Sequence, residues 1–171
     1  MSTDDMNKTT RRNFLVAATA GASLPGSSFA APVALSAQSG WVVLPTKWPF
    51  PELVARSEAA IARNGMNLVN FASASEGAKA QGITIAGNRV LGVFRNDFAR
   101  RMLAASIPAG IEAPIRLYLT ENAEGTATFS YRTPTSVFAP YVPGAGASLS
   151  ALATELDAIF DAIARDAVGS V

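Results

Sequence analysis

The 171-residue sequence predicts an α+β fold, a two-layer sandwich in which helices pack on one face of a largely antiparallel sheet. Three observations lead to this class. Predicted strands and helices follow one another in the order strand, helix, strand, strand, helix, strand, strand, helix. Two alternating strands near residue 120 are separated by a short glycine-containing turn, which is typical of a hairpin. Few strand–helix–strand crossovers remain, so few parallel pairings are expected.

The first half of the domain begins with a strand rich in β-forming residues, Trp41 to Leu44, which Pro45 is expected to end. Pro51 suits the first turn of a helix. The apolar face of that helix consists of Leu53, Val54, Ser57, Ala60 and Ile61. Asn64-Gly65 is a helix stop, and Met66 to Phe71 follows as a second strand.

Residues 73–82 are small and polar, with one helical turn expected around Ala78-Lys79. Arg89 to Phe94 is apolar on both faces, which favours a central position in the sheet. Asp97 is then a candidate N-cap for a helix over Phe98 to Ser106. A loop is expected over 107–114.

In the predicted hairpin, Ile115 to Thr120 alternates apolar and polar residues, as does Ala127 to Tyr131. Asn122 to Gly125 supplies the turn. A long helix is expected from Ser150 to Val168. Its apolar face consists of Leu152, Leu156, Ile159, Phe160 and Ile163.

The N-terminus resembles the twin-arginine (Tat) signal peptide of exported bacterial proteins. Arg11 and Arg12 precede Asn13-Phe14-Leu15 and a weakly apolar, alanine-rich stretch. Ser28-Phe29-Ala30 predicts signal-peptidase cleavage after Ala30, and Ser36 offers a second site. An ordinary secretory signal is the alternative.

Domain limits follow from this interpretation: a signal peptide over 1–30, a flexible leader over 31–40 and a single domain over 41–171. We expect the twin-arginine translocon as an export partner and a periplasmic or secreted location. The chain has no cysteine, so no membrane anchor through a lipidated cysteine is expected.

Composition excludes several functions. The chain has 14 Lys and Arg against 13 Asp and Glu, and without residues 1–30 the net charge is zero. A neutral domain without a basic run is not expected to bind nucleic acid or a membrane surface. Because histidine and cysteine are absent, Ser-His-Asp triads, cysteine nucleophiles and thiolate or imidazole metal sites are excluded. We therefore predict no metal, no cofactor and no catalytic residue.

Several stretches between Val42 and Thr133 are similar to the bacterial domain-of-unknown-function family 302. These stretches follow one another along the chain in the order and with the spacing that the family shows. They are Ala60-Ile61-Ala62-Arg63-Asn64-Gly65-Met66, Ala78-Lys79-Ala80-Gln81-Gly82, Val93-Phe94-Arg95-Asn96, Gly110-Ile111-Glu112-Ala113-Pro114-Ile115 and Tyr131-Arg132-Thr133-Pro134. The resemblance implies a compact two-layer domain, often dimeric, with no settled activity. Where relatives commonly carry Asp-His, this chain has Ser73 and Ala74. That histidine is either functional and lost here, or structural and dispensable.

Aromatic residues mark the first candidate site. The segment from Pro134 to Ala147 contains three prolines and is expected to be a long loop, and Phe138 and Tyr141 are its candidate contacts for a ligand or partner. Tyr118, on the predicted hairpin, is a third candidate. The alternative is a connector whose aromatic side chains pack against the sheet.

Arg95, Arg100 and Arg101 form a second candidate site near the start of a predicted helix, where an anion could bind. The alternative is a solvated surface.

Taken together, the sequence predicts a non-enzymatic module that binds a small ligand or a partner protein, as a homodimer through a sheet edge or face. A hydrolase or isomerase that uses arginines with Glu112 or Glu121 is the first alternative. An assembly factor for an exported redox complex is the second.

Overall fold

The computed structural model describes residues 35–169. The predicted signal peptide, with Arg11, Arg12 and the cleavage site after Ala30, lies outside these residues. The described elements, in chain order, are β1 (Trp41–Pro49), α1 (Phe50–Arg63), β2 (Asn67–Ala72), α2 (Ala74–Ala80), β3 (Asn88–Phe94), α3 (Asn96–Ala105), a 3₁₀ turn (Pro108–Glu112), β4 (Ile115–Glu121), β5 (Thr126–Arg132), α4 (Pro134–Phe138), a second 3₁₀ turn (Ala139–Tyr141), α5 (Val142–Ala145) and α6 (Ala147–Val168).

The five described strands form one sheet in the order β1-β5-β4-β3-β2, and every pairing is antiparallel. This confirms the predicted α+β class with its antiparallel sheet. The hairpin is β4–β5, in which Leu117 faces Tyr131 and Leu119 faces Phe129. Strand β3 is an internal strand with β4 and β2 as its two neighbours, as the apolar residues on both of its faces predict.

Helices α1, α3, α4 and α6 lie over the face of the sheet that carries Leu117 and Phe129. Helix α1 contacts β4 and β5, and α6 packs along α1 and against α3 and α4. Leu53, Phe129 and Phe160 are fully buried where these layers meet. Burial of one such side chain contributes about 1.5–3 kcal/mol before chain entropy is subtracted, so this layer contact holds the domain together.

Two predicted boundaries are wrong for reasons that lie in the backbone. Strand β1 does not end at Pro45, because β1 is an edge strand and a missing N–H can face away from its single neighbour. Its register with β5 shifts between Pro45 and Pro49. Asp97 does not cap α3. The N-cap is Arg95, whose guanidinium donates to the Asp97 carboxylate.

The segment from Pro134 to Ala147 is also corrected, because it is not an irregular loop. It folds into α4, a 3₁₀ turn and α5. Pro134, Pro140 and Pro143 each lie in the first positions of one of these short helices, where the absent N–H has no intrahelical partner to lose. The prolines that suggested a loop therefore start three successive helical turns.

Among residues 35–169, no helix is long and apolar enough to cross a membrane.

Candidate functional site

The candidate site lies on the face of the sheet opposite the core, which we call the open face. Strand register places five residues of this face in one line across the sheet. This arginine row consists of Trp41, Arg132, Arg116, Gly92 and Asn70. Arg132 faces Trp41, and Arg116 faces Gly92. The register that pairs Leu117 with Tyr131 brings Arg116 beside Arg132.

A second line of open-face residues runs parallel to the first, two positions along each strand. This tyrosine row consists of Val43, Ser130, Tyr118, Val90 and Ala72. Ser130 is fully buried, and its hydroxyl donates to the Tyr118 carbonyl at 2.9 Å. The row therefore offers Tyr118, Val90 and Ala72 as an apolar surface next to two arginines.

A groove of about 570 Å³ lies over these two rows. We call it the open-face groove, and its lining residues are Trp41, Ala72, Ala74, Asn88, Val90, Glu112, Ile115, Arg116, Tyr118, Tyr131, Arg132 and Val137. Its volume falls within the range of roughly 300–1,000 Å³ that small-molecule sites occupy. A narrow cleft between the sheet and helices α3 and α6 measures only about 30 Å³, which is too small for an organic ligand.

Glycine at position 92 shapes the floor of the site. A Cβ atom there would collide with the Asn70 side chain and approach Pro114 Cγ to 2.9 Å. Only glycine lets Asn70 and Pro114 close over the strand at this point. The arginine row thus ends at a tightly packed corner beside β2.

The polar rim of the groove is held by side-chain contacts. Glu112 accepts a hydrogen bond from the Tyr141 hydroxyl at 2.9 Å, and this bond raises the pKa of Tyr141. Asn88 Oδ1 accepts from the Ala74 amide at 2.9 Å and so fixes the start of α2 at the groove. Tyr131 pairs with Leu117 on the core face, where its ring contacts Phe160 and burial raises its pKa to about 12.

The three predicted aromatic contacts lie in different environments. Tyr118 is half-buried and lines the groove. Tyr141 does not line it, but reaches its rim through Glu112. Phe138 is 1% exposed and packs in the core, so it offers no surface to a ligand. This placement of Phe138 matches the alternative of a connector that packs its aromatic side chains.

The predicted arginine cluster lies on α3, away from the groove. Arg95 forms a two-pronged ion pair with Asp97 at 2.7 and 3.1 Å, and Arg101 forms one with Glu155. These pairs lower the pKa of both carboxyl groups. Arg100 is exposed. With two of its three charges paired, the cluster resembles the solvated surface given as the alternative.

The two positions that depart from the family pattern lie beside the groove. Ser73 is the N-cap of α2, where its hydroxyl accepts from the Glu76 amide at 3.2 Å. Ala74 lines the groove itself. A histidine at position 74 would therefore stand at the same groove that this chain lines with a methyl group.

Sequence reasoning missed most of the groove. The sequence places Trp41 and Arg116 in predicted strands and Arg132 just after one, and their meeting depends on pairing between β1, β4 and β5. The alternation of apolar and polar residues in β4 contains the signal that could have found them. Because the odd-numbered residues of this strand are buried, Arg116 and Tyr118 must lie together on the opposite face. Within residues 35–169, no group of three or more acidic residues is placed to hold a metal ion.

Comparison with known proteins agrees with this fold. The family model described as "Domain of unknown function DUF302" matches residues 42–163. The crystal structure of an uncharacterized conserved DUF302 protein from Bacillus stearothermophilus is similar, with a TM-score of 0.65 and 17% sequence identity over 75% of this chain and 99% of that chain. No curated protein matches significantly. Since the family model spans well over half of the residues, this chain belongs to the DUF302 family.

Proposed function

We propose that this protein is an exported, non-enzymatic module that binds a small ligand in the open-face groove. The observation that carries the proposal is the composition of the groove, which is mostly apolar with a few polar groups at defined positions. Sites for small organic molecules have this character. Tyr118 lies in the middle of the tyrosine row and is the central contact.

The positions of the two candidate glutamates favour binding over hydrolysis or isomerisation. Glu112 lies at the groove, but Glu121 accepts from the Gly87 amide at 2.6 Å at the far end of β4. General acid–base chemistry with two carboxylates needs both groups at the substrate. The fold instead uses Glu121 to fasten the start of β3.

Ligand binding is tested by filling the groove. Ala72→Trp places an indole on the tyrosine row, while Ala55→Trp adds the same side chain to the exposed surface of α1. We expect native mass spectrometry of the protein, isolated without refolding, to show an excess mass that denaturation removes. That mass should persist in Ala55→Trp and disappear in Ala72→Trp. Equal retention in both variants would place the ligand elsewhere and contradict the proposal.

Export is tested by a charge-conserving change. We expect the double variant Arg11→Lys, Arg12→Lys to remain in the cytoplasm as the full-length precursor, because a receptor-read signal depends on the guanidinium groups rather than on charge alone. Lys8→Arg is the matched control and should be exported. Cell fractionation with N-terminal sequencing distinguishes the two. Export of the double-lysine variant at the normal level would support an ordinary secretory signal instead.

The predicted homodimer has a candidate edge. Strand β1 is protected from further pairing by Pro45, Lys47 and Pro49, whereas β2 contains neither proline nor lysine. Val69 and Phe71 of β2 are 50% and 58% exposed. We infer that a second copy pairs along β2.

Light scattering after size-exclusion chromatography tests this pairing. Val69→Lys should convert the dimer into a monomer, whereas Ile83→Lys, at a residue 39% exposed outside the strand, should leave the dimer intact. A dimer that survives Val69→Lys unchanged would rule out the β2 edge.

A further inference from the structure

We propose that the open-face groove selects an organic monocarboxylate: the acid group binds across Arg116 and Arg132, and an apolar ring lies along Tyr118, Val90 and Ala72. This inference rests on the proposed binding function and adds the chemical class of the ligand. Three properties of the groove support it: two arginines are adjacent, neither arginine has a carboxylate partner in the part of the chain that the structure describes, and the lining residues carry a net positive charge.

The adjacency of the arginines is set by strand register. Residues directly opposite each other on antiparallel strands have Cβ atoms about 4.5–5.5 Å apart, and like charges there are destabilising. Extending the β4–β5 register by one residue beyond the Leu117–Tyr131 pair places Arg116 opposite Arg132 on the open face. The fold therefore holds two cations next to each other at a cost to its own stability, which a bound anion would offset.

Neither arginine is neutralised within the described residues. Among residues 35–169, the ion pairs involve arginines 63, 89, 95, 101 and 165, but not Arg116 or Arg132. Arg132 donates to the Ser136 carbonyl and hydroxyl at 3.3 and 3.4 Å, both long for hydrogen bonds. The guanidinium groups remain able to bind an oxoanion in the two-pronged geometry that arginine favours.

The charge of the groove favours a singly charged acid. Its charged lining residues are Glu112, Arg116 and Arg132, which give a net charge of one positive unit. A carboxylate neutralises that unit, whereas a phosphate monoester, which carries about −1.5 to −2 at neutral pH, would leave the groove with a net negative charge. The apolar surface of Tyr118, Val90 and Ala72 disfavours charge on the rest of the ligand.

Trp41 extends the surface that an aromatic ring of the ligand can contact. It faces Arg132 directly across the β1–β5 ladder and lines the groove beside it. A planar ligand can therefore contact an indole at its acidic end and a phenol ring farther along the tyrosine row. Apolar bodies of aromatic acids are of the size that the groove accommodates.

Two fluorescent probes test the inference. Anilinonaphthalene sulfonate is an apolar monoanion, and phenylnaphthylamine is its uncharged counterpart. We expect both to bind the wild-type protein, and Ala72→Trp to weaken both. The double variant Arg116→Gln, Arg132→Gln should weaken the sulfonate at least about tenfold, a change of about 1.4 kcal/mol, and leave the neutral probe unchanged. Arg100→Gln, an exposed arginine on α3, is the matched control and should change neither.

Each outcome separates the two proposals. If neither probe binds, or if Ala72→Trp weakens neither, then the groove is not a ligand site and the proposed function fails. If both probes bind but the double glutamine variant retains the sulfonate, the anion inference alone fails. The double glutamine variant should have a melting temperature equal to or higher than that of the wild type, because it lacks two adjacent like charges. A lower melting temperature would show that the arginines stabilise the fold.

Competition against the bound sulfonate then identifies the acid group. Naphthoate should displace the probe at lower concentration than naphthyl phosphate, because the groove carries a single net positive charge. Stronger competition by the phosphate would overturn the monocarboxylate assignment.

Discussion

Leu156→Asp is expected to leave the domain unfolded. Leu156 is 4% exposed on α6, the helix that packs against α1, α3 and α4. Loss of a buried leucine costs about 2–5 kcal/mol, and a buried, unpaired carboxylate adds several more. Since a whole domain is stable by only about 5–15 kcal/mol, this single change removes most or all of its stability. Near-ultraviolet circular dichroism should show the loss of tertiary structure.

Leu103→Asp is the matched control for this change. Leu103 is also a helical leucine, but it is 46% exposed on α3. Its replacement should alter the free energy of unfolding by about 1 kcal/mol or less. A cooperative thermal transition of Leu156→Asp close to that of Leu103→Asp would show that α6 is not part of the structural core.

The sequence predicted elements with strong periodicity well and pairings between distant strands poorly. The alternation in Ile115 to Thr120 identified a half-buried strand and the correct buried face. The long, regular 3.6-residue period of α6 likewise predicts the burial of Leu156 and Phe160, which the structure confirms. These predictions rest on local patterns, which a single sequence contains in full.

The groove could not be predicted in the same way, because it depends on which strands become neighbours. Trp41 and Arg132 meet only because β1 pairs with β5, and nothing local in either strand specifies that partner. The misjudged segment 134–147 has a different cause. Pro134 has the same local effect at the start of a short helix as in an irregular loop, so the sequence does not decide whether Phe138 contacts a ligand or packs in the core, where the structure has it.

Phe129→Ala is expected to lower the free energy of unfolding by about 3–5 kcal/mol, the range for truncation of a fully buried aromatic ring. Phe129 is 0% exposed, faces Leu119 and Leu44 across its two ladders, and makes an edge contact with Tyr131 at 6.0 Å between ring centroids. No neighbouring element can close the space without moving the sheet or α1. Chemical denaturation, with the midpoint and slope compared with those of the wild type, measures the loss.

Phe71→Ala provides the comparison, since it removes the same ring from another strand of the same sheet. Phe71 is 58% exposed on the edge strand β2, and its only described aromatic contact is with the Arg89 guanidinium at 4.8 Å. An exposed cation–π contact of this kind is worth about 0.5–1 kcal/mol. The two identical truncations should therefore differ by more than about 2 kcal/mol. Equal losses would mean that the edge at β2 is as buried in solution as the centre of the sheet, as it would be in a tight dimer paired along that edge.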